Sequence, residues 1–119
     1  MSVQDLAKQF VDMCNQGKNF DVMKTMYTED IVSVESTGAE TIGKLPVIEK
    51  SKRWASGLTL HGEKVLGPFF NGPNQFAVHF TFEVTPKATG KRVSQEEIAV
   101  YTVTGDKISR EQFFNLGNW

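Results

Sequence analysis

The apolar positions shift from mainly helical to mainly alternating spacing near residue 57. Val3, Leu6, Ala7, Phe10, Val11, Met13 and Cys14 recur at three- and four-residue steps, and that stripe predicts a helix over 3–14. Ser2, with Asp5 three residues on, offers a capping box in which Asp replaces the usual Glu or Gln, and Gly17 offers the stop. Asn19 is placed to cap a second, short helix whose Phe20, Met23 and Tyr27 share a face. "IVSVES" (31–36) is a β-branched run and reads as a strand, and 37–44 reads as loop. Pro46 suits the first turn of a third helix that ends near Gly57. Beyond it, four strands are predicted at 58–66, 75–85, 92–104 and 107–116, separated by the turn clusters "NGPN", "PKATG" and "TGD". Phe76, Val78, Phe80, Phe82 and Val84 alternate without a break, the clearest period-2 signal present. Three helices with one early strand, then a four-strand antiparallel meander, predict an α+β fold.

Length and composition narrow the function classes. The 119 residues predict one domain over 1–119, able to bury about two-thirds of its unfolded surface around one core. A net charge of −1 argues against a nucleic-acid binder, which needs a basic face. No run approaches the roughly 20 apolar residues of a membrane span, and the N-terminus lacks the basic and apolar segments of a signal peptide. Cys14 is the only cysteine and cannot form an internal disulfide, so a reducing cytoplasm is the expected compartment. It reads as a small core residue, since nothing near it in sequence would make it a thiolate. With two histidines and one cysteine, no metal site is expected. No Gly-rich phosphate loop and no G-x-S-x-G elbow are present, and no cofactor is expected.

Four stretches then add a family resemblance over essentially the whole chain: "FVDMCNQGKNFDVMKTMYTEDIVSVES", "FAVHFTFEVTPKATG", "EEIAVYTV" and "KISREQFF". The chain resembles the SnoaL-like (polyketide-cyclase-like) branch of the nuclear transport factor 2-like superfamily. More distantly it resembles ketosteroid isomerase. The resemblance implies a cone-like, curved, mixed or antiparallel sheet wrapped around about three N-terminal helices and enclosing a pocket. It does not fix a reaction, because this fold serves isomerases, cyclases, dehydratases, hydrolases and non-catalytic binders. Position by position, the isomerase's carboxylate base on the first strand corresponds to Glu35. Its helix tyrosine, an oxyanion donor, corresponds to Phe10, and its second donor, a protonated aspartate, to Ala99. The resemblance thus implies a base that is kept and two donors that are lost, which argues against a steroid isomerase.

Strand parity extends this mapping. If Ala99 faces the pocket, so do Glu97 and Tyr101, while Glu96, Ile98 and Val100 face away. A β-bulge between 92 and 99 would exchange Glu96 and Glu97. The same parity turns Val78, Phe80 and Phe82 inward with Glu111, Phe113 and Asn115, and turns His79 outward. The expected pocket is apolar and holds Glu35, Glu97 and Glu111. Carboxylates that share such a pocket cannot all ionise cheaply, since desolvation and like charge both raise pKa. One can keep its proton and donate while another acts as base, as in ketosteroid isomerase. This gives Glu35 as base and a protonated Glu97 as donor to a carbonyl oxygen. Bland alternatives stand beside it: Glu97 solvated at the strand start, Glu35 paired with a lysine or Arg53, and Glu111 at the rim with Lys91 or Arg92.

Further candidates rest on fewer signals. Trp54 followed by His61 fits a pattern of the branch, which makes His61 a candidate acid-base group against a plain strand histidine. Trp54 either walls the pocket and stacks on a ligand or packs the third helix on the sheet. Tyr27 and Tyr101 are candidates for the hydroxyl that Phe10 lacks. The outward face (Ala77, His79, Thr81, Ile98, Val100, Thr102) is poor in charge, and the fold's habit of pairing there predicts a homodimer. Three functions are therefore expected of the chain: acid-base chemistry on a small apolar carbonyl compound, non-catalytic binding of a small apolar organic ligand, or, from the apolar outward face alone, a dimeric interaction protein of the same fold.

Overall fold

The computed structural model describes residues 2–117. Helix α1 (Val3–Asn15) opens on Ser2, whose Oγ accepts the Asp5 amide at 3.1 Å. That satisfies one of the amides that a helix start leaves without a partner. Helix α2 (Asn19–Met26) follows, then β1 (Tyr27–Val34), β2 (Glu40–Ile42) and α3 (Lys44–Ser56). Four long strands complete the chain: β3 (Leu58–Asn71), β4 (Gln75–Pro86), β5 (Val93–Thr104) and β6 (Lys107–Leu116). They form one open, curved sheet in the order β2-β1-β6-β5-β4-β3. β1 runs parallel to β6 and every other pair is antiparallel. α1 lies over β3 and β4, and α3 over β1 and β3. The fold is the expected α+β cone of three helices and a mixed sheet.

Several boundaries differ from the sequence reading, each for a local reason. Tyr27 is the first residue of β1 rather than part of the second helix, because its backbone is already extended (φ −87°, ψ 144°). Asn19 does not cap α2; its side-chain amide is used across the molecule, on Glu63. Residues 40–42 are not loop but a short edge strand, brought back onto β1 by a turn in which the Gly38 amide donates to Glu35 O at 2.8 Å. Gly38 has φ +91°, a conformation that other residues resist. β3 does not stop at 66. It crosses Gly67 and Pro68 through a bulge that absorbs the proline, and a Cβ on Gly67 would come 3.1 Å from Ala77 O.

β3 carries a second bulge that decides what faces the cavity. Leu60 pairs with Val84 and Gly62 with Glu83, so His61 and Gly62 together oppose one residue of β4. Simple alternation from Leu60 would turn Glu63 outward. The extra residue turns it inward, opposite Phe82. The β4–β5 ladder has no such shift from Val93 to Thr102, so the parity expected for Glu97 holds. The core lies between the helices and the concave sheet face, built on Phe10, Val22, Ile31, Val47, Phe76, Val78, Val84 and Ile108. Among the described residues no helix is long and apolar enough to cross a membrane.

Candidate active site

A cavity of about 540 Å³ lies between the helices and the concave face of the sheet. Ligand pockets usually fall between about 300 and 1,000 Å³, so there is room for a small organic molecule. α1 contributes Phe10 and Cys14, and α2 contributes Phe20, Val22 and Met23. α3 contributes Lys50 and Trp54. The sheet floor is Phe80, Phe82, Tyr101 and Phe113. Phe80 and Phe82 stack at 5.3 Å with 13° between their planes, and Trp54 meets Phe82 edge-on at 5.2 Å. Phe10 packs on Tyr101 at 4.6 Å and closes the deep end.

Four glutamates open onto this apolar space: Glu35, Glu63, Glu97 and Glu111. Glu111 is 2% exposed, and it accepts hydrogen bonds from the Tyr27 hydroxyl and, at 2.7 Å, from Ser33 Oγ. Burial pushes its carboxyl up, and these two bonds and Lys50 oppose the shift. Lys50 Nζ donates to Ser33 Oγ at 2.5 Å, pairs with Glu35 Oε1 at 2.6 Å and lies 5.5 Å from the centre of the Phe113 ring. A polar chain therefore runs from half-exposed Glu35 through Lys50 and Ser33 to sealed Glu111 and Tyr27. Burial also pushes the Tyr27 and Tyr101 hydroxyls well up, with Glu111 adding to both, so each stays a donor. Glu63 accepts the Asn19 amide at 2.8 Å; burial raises its pKa and that bond lowers it.

Glu97 is different in kind. It is 8% exposed, lines the cavity and has no hydrogen-bond or ion-pair partner among the described residues. Burial foremost, then the charges of Glu111 and Glu35, push its carboxyl up to about 8, against the pull of Lys50. A carboxyl in that state is protonated at neutral pH and has a hydrogen bond to give.

Most of the residues singled out from sequence meet at this cavity. Glu35, Glu97, Glu111, Phe10, Tyr27, Trp54, Phe80, Phe82, Tyr101 and Phe113 all line it. Glu35 takes Lys50 as its partner rather than Arg53, and Glu111 is sealed in the core rather than bridged at the rim. Two do not reach it. His61 sits in the β3 bulge next to inward Leu60 and so points away; it is exposed, with Nε2 2.7 Å from Thr85 Oγ1. Asn115 has the inward parity opposite Glu97, but it lies in the exposed end of β6, beyond the cavity wall. Glu96 and His79, both outward, pair with each other at 3.0 Å. Sequence reading missed Lys50, Ser33, Asn19 and Glu63. A helical lysine reads as solvated, and Glu63 is aimed inward only by the bulge. Among the described residues no three His, Cys, Asp or Glu side chains are grouped to hold a metal ion.

Comparison with known proteins agrees with this architecture. The SnoaL-like domain profile matches residues 1–115. The chain belongs to the SnoaL-like family. Among solved structures, this SnoaL-like chain is similar to a protein from Mesorhizobium loti provisionally named a SnoaL-like polyketide cyclase [carbohydrate phosphatase]. The two are 38% identical over 96% of this chain and 99% of that one, with a TM-score of 0.91. A provisionally named polyketide cyclase from Xanthomonas campestris pv. campestris is 17% identical over 98% of this chain and 93% of its own, with a TM-score of 0.74. A protein of ketosteroid isomerase-like fold from Catenulispora acidiphila is 14% identical over 91% of this chain and 83% of its own, with a TM-score of 0.72. The last two likenesses show the shared fold. No curated protein matched the chain.

Proposed function

We propose that the SnoaL-like cavity binds a small, mostly apolar carbonyl compound and moves a proton at the carbon beside its carbonyl. Glu97 carries the reading, as a buried carboxyl on an aromatic wall, partnerless among the described residues, with its pKa raised to about 8. At neutral pH it keeps its proton and donates to the carbonyl oxygen. When the neighbouring C–H bond breaks, negative charge gathers on that oxygen, and a donor fixed in a dry site stabilises it. Glu35 is the base. Its carboxylate lines the same cavity and is positioned by Lys50 at 2.6 Å. The proton passes from carbon to Glu35, the enolate oxygen stays hydrogen-bonded to Glu97, and return of the proton to the substrate closes the cycle without an outside reagent.

The experiment is deuterium exchange of the methyl protons of acetophenone in D2O, followed by NMR. The wild-type protein should accelerate exchange, and Glu35→Gln should lower that acceleration by roughly 10²–10⁴-fold with binding retained. One observation favours a second reading, a non-catalytic ligand-binding protein. Phe10 and Ala99, which the resemblance aligns with the isomerase's two oxyanion donors, are buried, and neither side chain can donate. Binding of acetophenone with exchange no faster than in buffer would select that reading.

A further inference from the structure

The charges on the cavity wall do not balance. Lys50 is the one Lys or Arg among the described lining residues, and it is taken up by Glu35 and Ser33. Glu63, on the far side of the aromatic floor, has the neutral Asn19 amide as its bond and no ion pair among the described residues. Its presence in the cavity follows from the bulge at His61 and Gly62, a local device that re-aims one side chain. Glu63 pairs with Phe82 and Phe80 pairs with Glu97, so the two carboxyls belong to strands on either side of β4. From strand spacings their backbone positions stand about 12 Å apart. The stacked rings of Phe80 and Phe82 lie between them, with Trp54 against Phe82. Glu97, nine-tenths buried and partnerless among the described residues, marks this space independently as one that a polar ligand completes.

We propose that the ligand is an amine-bearing carbonyl compound, whose ammonium group is taken by the Glu63 carboxylate beside Asn19, across the Phe80 and Phe82 rings from Glu97. An ammonium neutralises the one cavity carboxylate that is held only by an amide. It also lies against aromatic faces, which attract cations. An anionic ligand would meet the Glu63 carboxylate with no cation beside it, among the described residues, to offset the charge. The amine subsite stands on Glu63 and its surroundings, and only the placement of the ligand's other end rests on the carbonyl reading above.

The test is NMR titration of the wild-type protein at neutral pH with benzylamine, benzyl alcohol, benzoate and acetophenone. These share one ring and differ in the polar group. Benzylamine should bind about tenfold or more tightly than benzyl alcohol, and benzoate most weakly. Glu63→Gln keeps an acceptor for Asn19 and should erase the advantage of benzylamine while leaving acetophenone within about twofold; Glu63→Asp, which keeps the charge, should retain part of it. Benzylamine no tighter than benzyl alcohol in the wild-type protein overturns the proposal without any variant, and so does an advantage that survives Glu63→Gln. Acetophenone reports on the other end: if Glu97→Leu, which removes the donor, leaves its affinity unchanged, the carbonyl reading fails and the amine subsite stands.

Discussion

At the scale of one residue, Glu97 links the pocket to stability. A carboxyl raised from 4.5 to about 8 binds its proton more tightly in the folded chain than in the unfolded one. Between those two values the unfolded chain releases a proton that the folded chain keeps. Stability from this group is therefore full below about pH 4.5, falls as pH rises and levels off above about 8. The groups that face it are the carboxyls of Glu111, Glu35 and Glu63, which raise its pKa, and the ammonium of Lys50, which lowers it. Glu97→Gln cannot titrate. Thermal unfolding of both proteins from pH 5 to 8.5 should therefore show the variant gaining on the wild type as pH rises, by a few kcal/mol over the range. A constant difference between the two curves would mean that Glu97 ionises normally and is solvated. The same titration sets activity: donation from Glu97 requires the protonated form, so exchange of a ketone's α-protons should decline as pH passes about 8.

At the scale of the element, the end of α1 is fixed to β3 just before the turn whose residues Gly17 and Asn19 line the cavity. The Asn15 side chain donates to Val65 O at 3.0 Å and accepts the Val65 amide at 2.9 Å, closing a two-bond clamp beside the turn into α2. Removing it leaves two part-buried backbone groups without partners. Asn15→Leu should lower stability by about 2 kcal/mol and the melting temperature by several degrees, read by calorimetry. It should also weaken ligand binding, since Phe20 and Asn19 follow directly. Loss of stability within a few tenths of a kcal/mol would show that packing alone holds the junction. Elements of this length were legible in the sequence wherever the period was unbroken. The Phe76-to-Val84 alternation placed β4, and because the β4–β5 ladder has no shift near Glu97, parity alone turned that glutamate inward. Where a strand carries a bulge, parity fails. One extra residue at His61 and Gly62 turned Glu63 inward against simple alternation, while His61, placed among the candidates by the family pattern, stays on the outer side beside Thr85. β2 escaped because three residues carry no period, and Asn115 because parity gives a direction but not where the cavity wall ends. Lys50 was invisible for another reason. Its role depends on Glu35 and Ser33, 15 and 17 residues away in sequence, and a helical pattern shows which face a lysine occupies, not which acid waits there.

At the scale of the whole molecule, the sheet has two faces with different demands. The concave face is covered by the helices. The convex face leaves Leu66, Phe69, Phe114 and Leu116 between 45% and 58% exposed. Leu66 and Phe114 fall in one cross-strand row with His79 and Ile98, and Phe69 in the next with Ala77 and Val100. Large apolar side chains exposed on β3 and β6, with Ile98 and Val100 of β5 in the same rows, are costly to leave in water, and a second copy of the same face would cover them without blocking the cavity on the other side. A homodimer through this face is the expected state. Sedimentation equilibrium should give twice the 13.3 kDa chain mass. Phe114→Glu places a charge in the middle of that surface, where it would face its own symmetry mate or a buried apolar patch. It should return the mass to that of one chain and leave the helical content unchanged, since Phe114 touches solvent rather than the core. The half-buried His79–Glu96 pair in the same patch would be enclosed by the partner copy, so the dimer should resist salt more than an open surface ion pair would. A wild-type chain that sediments at 13.3 kDa at micromolar concentration would leave the convex face without a partner copy, and the exposed phenylalanines would then need another explanation.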